Sequence, residues 1–396
     1  MNKDEARKLL DERKEIVIDV IRQRKRPKRI PLLSQVRAWN VLDAGYGLIE
    51  GLSDYDKLFK AACHMQETYN FDIHIYAGTR FPYKVYEALG SSPYLFDDEN
   101  SRVEYLDRQY MSREDYPILF EKGVIKFLFE NVFPKRFDSL QSLSPDEAVE
   151  RIVNAFEEHT KFGKFVGGLN EYFAENYGVP TFSSGVTFLP NIDNMFMGLR
   201  GMKGIASDIR RNPEDLQRAC EEIDFGHTKA QTDFVSKFKP KYYEINSMYT
   251  TLVTNTMLNP KQFEKFVWPT LKAYFDATVE SDTTGYIFTE GKMSHLMDFF
   301  RDIPEKRFVL VTEQDKISDL RDKLPNLSFA GGINTYLLGH ASKDACIDMA
   351  KKMVDEIGFD GRLIACTDKM LAYKNDAKRE NLQAVNEFIT EYSANR

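Results

Sequence analysis

The chain has 396 residues, 42% hydrophobic and 29% charged, with a formal net charge of −7. That is ordinary globular composition, with enough apolar material for one large core. It excludes a low-complexity chain, and the lack of a basic stripe argues against nucleic-acid binding.

The opening stretch MNKDEARKLLDERKEIVIDVIRQRKRPKR has no long apolar run, so it reads as neither a signal peptide nor a membrane span. It predicts a charged amphipathic helix ending in a basic run, residues 22–29. Helix continues to about residue 65, with Leu58, Phe59, Ala62 and Cys63 at helical spacing. A first strand is expected at 71–77 (FDIHIYA), closed by Gly78. Residues 79–165 are aromatic-rich and irregular, then helical. Ser144-Pro145-Asp146-Glu147 is a helix start, with Ser as N-cap, Pro at the first position and Glu at the third. Strand material follows at 179–189, and Asn212-Pro213 and Asn259-Pro260 open two more helices.

From Gly285 the cadence becomes regular. Strands YIFTE, RFVLVTE, LSFAGGI and RLIACTD each lead into a helix, near 292–301, 317–323, 343–357 and 377–392. The third helix shows its buried face: Cys346, Met349, Ala350, Met353, Val354 and Ile357 recur at three- and four-residue spacing. Four successive βα units predict a parallel sheet. With the upstream strands, the economical fold is α/β, a (β/α)8 TIM barrel over 66–396 with a helical extension over 1–65. An open doubly wound sheet is the alternative, and no GxGxxG follows any strand.

In such barrels the working residues leave the C-terminal ends of strands. That rule selects Thr289-Glu290-Gly291, Thr312-Glu313-Gln314-Asp315, Gly331-Gly332-Ile333-Asn334 and Cys366-Thr367-Asp368-Lys369. Each has a structural alternative. Glu313 and Asp315 suit a helix start, Glu290 could bond a neighbouring loop, and Cys366 could be a small core residue. Among six histidines there is no HExxH. His340, after Gly339, is placed to reach the rim, and His74 sits on the first predicted strand. Met195, Phe196 and Met197 form an apolar cluster that suits core or pocket wall. The four cysteines, Cys63, Cys220, Cys346 and Cys366, form no CxxC pair, which fits a reducing, cytoplasmic setting.

Several segments, weak singly, occur together in a characteristic order. They are Arg29-Ile30-Pro31-Leu32, Asp43-Ala44-Gly45, YNFDIHIYAG, Leu199-Arg200-Gly201 with Asp208, the NP segment ending at Pro269, Glu290-Gly291, the GGIN turn and Asn381 with Ala384-Val385. In this the chain resembles, over roughly 28–390, the uroporphyrinogen decarboxylase superfamily, which includes corrinoid-dependent methyltransferases. The resemblance implies a barrel of the type derived above. The decarboxylase branch carries Arg-Gln-Ala-Gly-Arg near its start, whose arginines hold substrate carboxylates. Here that stretch resembles Arg37-Ala38-Trp39…Asp43-Ala44-Gly45-Tyr46, with at most one such arginine. That branch's Phe-Ser-Asp on the first strand corresponds to Tyr76-Ala77-Gly78, so its aspartate is missing.

The methyltransferase branch has members with a His-x-Cys-Gly motif and a late cysteine that bind zinc. The matching stretch is Phe288-Thr289-Glu290-Gly291, and the late cysteine resembles Cys366. A carboxylate there is similar to enzymes that remove methyl groups from O-methyl substrates. The resemblance therefore implies a methyltransferase that moves a methyl group from a small O-methyl donor, such as a methoxylated aromatic, to the Co(I) corrinoid (cobalamin) of a partner protein. Glu290 and Glu313 are the expected catalytic residues. Arg37, His74, Asn334 and Met195 are the expected substrate contacts. If zinc is bound, Glu290, Glu313, Cys366 and His340 are its expected ligands; without it, a buried glutamate acts as the acid. The alternatives are a decarboxylase of another acidic substrate, with Arg37, Arg80 and Arg200 as carboxylate holders, and a corrinoid or tetrapyrrole binder without catalysis. No nucleic-acid or membrane partner is expected, and a homodimer is compatible.

Overall fold

The structure, a computed structural model, describes residues 1–396 except Tyr76, Ser184 and Phe225. Helix α1 (Lys3–Arg22) starts on a capping box, in which Asn2 accepts from the Glu5 N–H and the Glu5 carboxylate accepts from the Asn2 N–H. Both bonds satisfy otherwise orphaned donors of the first turn. Its apolar face carries Val17, Val20 and Ile21, all fully buried.

Eight parallel strands form the barrel: β1 (Leu33–Ser34), β2 (Ile73–His74), β3 (Thr181–Ser183), β4 (Glu244–Leu252), β5 (Thr284–Thr289), β6 (Phe308–Thr312), β7 (Ser328–Ile333) and β8 (Leu363–Thr367). Each pairs with the next in chain order. Bridges Leu32↔Ala365 and Val36↔Leu371 bring β8 back to β1, so the sheet closes on itself. Closure removes the unpaired edges an open sheet would leave. A short segment, Thr187–Phe188, adds to β4, and an antiparallel hairpin, Tyr94–Asp97 with Arg102–Tyr105, lies outside the barrel.

The first barrel strand therefore lies inside the segment read from sequence as a helical extension. β1 is only two residues long, too short to show alternation, and its closing partner β8 is more than 300 residues away. The FDIHIYA strand shortens to Ile73–His74, and Tyr76 falls outside the described residues. The strand expected over 179–189 breaks into two pieces around Ser184, likewise outside them. The late units appear as expected, although the helices after β5 and β6 are short (Met297–Arg301 and Ile317–Leu320).

Strand alternation divides the barrel's residues. Leu33, Ile73, Ile245, Tyr286, Phe288, Val309, Val311, Ala330, Ile364 and Cys366 pack together inside, with Val17, Val20 and Ile21 of α1 beneath them. Ser328 Oγ donates to Val20 O at 2.6 Å, fixing α1 across the floor. The opposite parity, including Ile287, Leu310, Phe329 and Leu363, packs on the surrounding helices.

Candidate active site at the barrel mouth

Continuing the inward parity upward reaches the C-terminal rim. β5 reads Tyr286, Phe288, Glu290; β6 reads Val309, Val311, Glu313; β1 reads Leu33, Gln35, Arg37. Glu290 is half-buried, and its N–H donates to Leu252 O at 3.0 Å. Burial raises its pKa above the ordinary carboxylate value. Arg37 and Arg80 oppose that rise, and the neighbouring carboxylates of Glu313 and Asp193 add to it. Burial, and then the nearby Arg80, lower the pKa of Arg37 in turn. Arg80 donates to Tyr94 Oη at 2.9 Å, and Thr79 Oγ1 donates to Arg37 O at 2.6 Å. One acid and two guanidinium groups thus share electrostatic reach at one side of the mouth.

The loop that carries Glu290 is pinned along its backbone. Gly291 has φ +64 and donates its N–H to Glu313 Oε2 at 2.7 Å, and the Met293 N–H reaches Asp315 Oδ2 at 2.6 Å. Asn255 Nδ2 donates to Glu290 O and Lys292 O at 3.1 and 3.2 Å. Asp193, 1% exposed, accepts from the N–H groups of Val253 and Thr254 and so fixes the turn that presents Asn255. Below the rim, Ile75, Phe182, Ser183, Ser247, Tyr249 and Tyr286 line a cavity of about 220 Å³. Tyr249 and Tyr286 stack at 5.3 Å, which gives it a flat aromatic wall. Gly185 and Thr187 at its edge are exposed, so it opens to solvent where β3 breaks.

Of the residues expected from sequence, Glu290, Glu313 and Arg37 meet here. His74 does not. It faces outward from β2, 1% exposed, with Nε2 2.9 Å from Gln66 Oε1 and edge-on to Phe173. Met195 is fully buried in the outer apolar core. Asn334 caps the helix Thr335–His340 through the Leu337 N–H and donates to Asp368 at 3.0 Å. His340 ends that helix on the exposed surface, its ring 4.8 Å from Tyr336. Arg200 is engaged by Asp208 through two bonds of 2.7 and 3.0 Å, with Tyr116 on the same carboxylate, so it is a buried strut and not a carboxylate holder.

The expected zinc ligands do not fit a metal. Cys366 lies in the barrel interior, its pKa pushed up to about 12 by burial, and its Sγ accepts from Gln35 Nε2 at 2.7 Å. Glu313 is committed to the Gly291 N–H, and His340 belongs to a different surface. No group of three or more His, Cys, Asp or Glu side chains suited to a metal occurs among the described residues.

Asp193, Phe182, Tyr249 and Tyr286 were not foreseen as site residues. β4 went unassigned in the sequence, although its alternation Ile245, Ser247, Tyr249 would have placed Tyr249 on the inner face. Asp193 carries no local signal, because its role comes from contacts about sixty residues away.

Fold and site together define a closed (β/α)8 barrel with its polar groups gathered at the C-terminal rim. A family model described as uroporphyrinogen decarboxylase (URO-D) matches residues 194–392, half of the chain, and the chain belongs to that family. Among solved structures it is similar to a methyltransferase from Methanosarcina mazei, with a TM-score of 0.61 over 96% of this chain and 98% of that one at 13% identity. At that identity the likeness is one of fold. No curated protein matches the chain. Among the described residues no helix is long and apolar enough to cross a membrane.

Proposed function

We propose that the chain is a methyltransferase that takes a methyl group from an O-methyl donor, a methoxylated aromatic, and delivers it to the Co(I) corrinoid of a separate protein. The observation that carries this is Glu290: a half-buried carboxyl with a raised pKa at the end of β5, four residues above Tyr286, which walls an aromatic cavity that opens to solvent. The family includes methyl-transferring members by the resemblance above, and the fold likeness agrees.

An aryl methyl ether has a poor leaving group. Here Tyr249, Tyr286 and Phe182 bind the ring, and Glu290 gives its proton to the ether oxygen as the C–O bond breaks. The oxygen keeps the bonding pair and leaves as a neutral phenol, and Glu290 becomes a carboxylate that Arg37 and Arg80 stabilise. The corrinoid supplies the two-electron nucleophile that accepts the methyl group. Glu313 acts on the Gly291 backbone and positions Glu290.

Glu290→Gln removes the proton but keeps the shape. It is expected to lower methyl transfer from a methoxyarene panel to reduced corrinoid protein by roughly 10²- to 10⁴-fold. Donor affinity, read by fluorescence titration, should hold. A variant that transfers methyl at the wild-type rate would remove Glu290 from the chemistry. No transfer from any donor by the wild type, with an active partner present, would overturn the proposal.

The nearness of Arg37 and Arg80 supports a second reading, decarboxylation of an acidic substrate. Arg37→Ala separates the two. It should abolish loss of CO₂ but only weaken methyl transfer.

A further inference from the structure

The helix Pro145–Tyr177 is 33 residues long, more than the barrel height requires. Its C-terminal end sits at the barrel floor, where Gly178 meets Ala6 and Leu10 of α1. Leu169 packs with Ala77 and against Gly78, just past the top of β2. Residues 145–168 therefore project beyond the rim as an arm, roughly 35 Å long at about 1.5 Å per residue.

One face of the arm is held by the rest of the chain. Ala155 is buried, Arg151 lies against Gly90, and Phe165 stacks on Tyr55 at 4.9 Å. The opposite face is apolar and bare. Val149, Ile152, Val153 and Phe156 are 60%, 37%, 48% and 71% exposed. Their spacing makes a single stripe along the helix. Gly163 and Gly167 extend it, and nothing lies within 4 Å of where a Cβ would stand on either. A glycine inside a helix costs about 1 kcal/mol relative to Ala. The close approach these two allow is used by no described residue of the chain.

The charges beside the stripe are polarised. On one flank Asp146 and Glu150 lie near the start of the arm, and Lys161 and Lys164 lie toward its other end. Glu157 sits between them, and Lys161 also pairs with Glu158 at 2.8 Å. Two such arms placed parallel would set this charged flank against the second copy's other flank, Ala148, Ile152, His159 and Val166, which carries no Asp, Glu, Lys or Arg to answer it. Placed antiparallel about an axis near residue 155, they set Val153 against the second copy's Phe156, and the acidic start of each against the basic stretch of the other. In antiparallel helix pairs equivalent flanks face each other, so this geometry satisfies apolar stripe and charge together.

We propose that this stripe is the surface through which two copies of the chain associate, arm against arm and antiparallel. The contact is independent of the proposed chemistry, because it needs neither donor nor corrinoid. Two helices of this length side by side bury on the order of 1,000 Å² in total, the low end for a specific interface, so the dimer is concentration-dependent.

Sedimentation velocity of the full chain from about 1 to about 100 μM tests it. The wild type is expected to shift from 45.9 kDa toward twice that mass. Val153→Asp with Phe156→Asp should remain monomeric throughout, with unchanged circular dichroism and melting temperature. Lys161→Glu with Lys164→Glu should weaken association about tenfold, and adding Asp146→Lys with Glu150→Lys should restore it. A wild type that stays monomeric over the whole range overturns the proposal, and the stripe then belongs to a different protein. A stripe variant that dimerises like the wild type, or charge reversal without rescue, overturns it equally.

Discussion

Asp193 accepts two backbone N–H bonds, and burial still pushes its carboxyl up to about 6. The unfolded value is near 3.9, so over about pH 4–6 the folded chain holds a proton that the unfolded chain has released. This stability is fully present below about pH 4 and is lost as pH rises through 6, a change of about 3 kcal/mol. His74 works in the opposite sense. Burial lowers its pKa to about 3, so its contribution is present above about pH 6.5 and fades as pH falls. The two overlap, and only the difference between variants separates them. Asp193→Asn should abolish the fall in stability between pH 4 and 6 relative to wild type, read as urea midpoints. Equal pH slopes in the two proteins would place the Asp193 proton elsewhere. Cys366 provides a second test at this scale. Its thiol is buried and bonded to Gln35, so Cys366→Ser is expected to leave both methyl transfer and metal content unchanged. A zinc ion lost with that sulfur would reinstate the ligand set drawn from sequence.

Among the elements, the helix starts at Ser144 and Asn259 were legible because an N-cap and the proline after it are adjacent in sequence; the capping box at Asn2 was not read. The role of α1 was not. It reads as a charged amphipathic extension, and it is the floor of the barrel. Beside its apolar face, Arg13 and Arg29 both pair with Asp72, at 3.0 and 2.6 Å, next to β2. Asp72 is 2% exposed, and despite burial Arg29 and Arg13 hold its pKa below the ordinary value. Asp72→Asn strands two guanidinium groups against the barrel and is expected to cost about 3–5 kcal/mol. A guanidinium-chloride melt within error of wild type would show the pair to be dispensable. The loop after β5 tells a related story. Sequence offered Glu313 and Asp315 as helix-start carboxylates or as site residues. They are instead anchors that fix the Gly291 and Met293 N–H groups and so aim Glu290.

For the molecule as a whole, the sequence by itself determined the barrel class and the late strand–helix units, because alternation and three-to-four spacing are local and survive without neighbours. It selected Glu290 as a carboxylate at the end of a late strand because a strand's end is a local signal, while the inward parity it continues is read from the packing of Tyr286 and Phe288. Only the tertiary structure decided where the barrel begins, since β1 has two residues and is defined by β2 and β8. It alone placed His74, Met195 and His340 away from the mouth, tied Asn334 to Asp368 and Cys366 to Gln35, and brought Asp193, Tyr249 and Tyr286 to it. Their placement depends on which distant groups satisfy a buried polar atom or fill a wall. That is a property of closed packing, and no local pattern of residues encodes it.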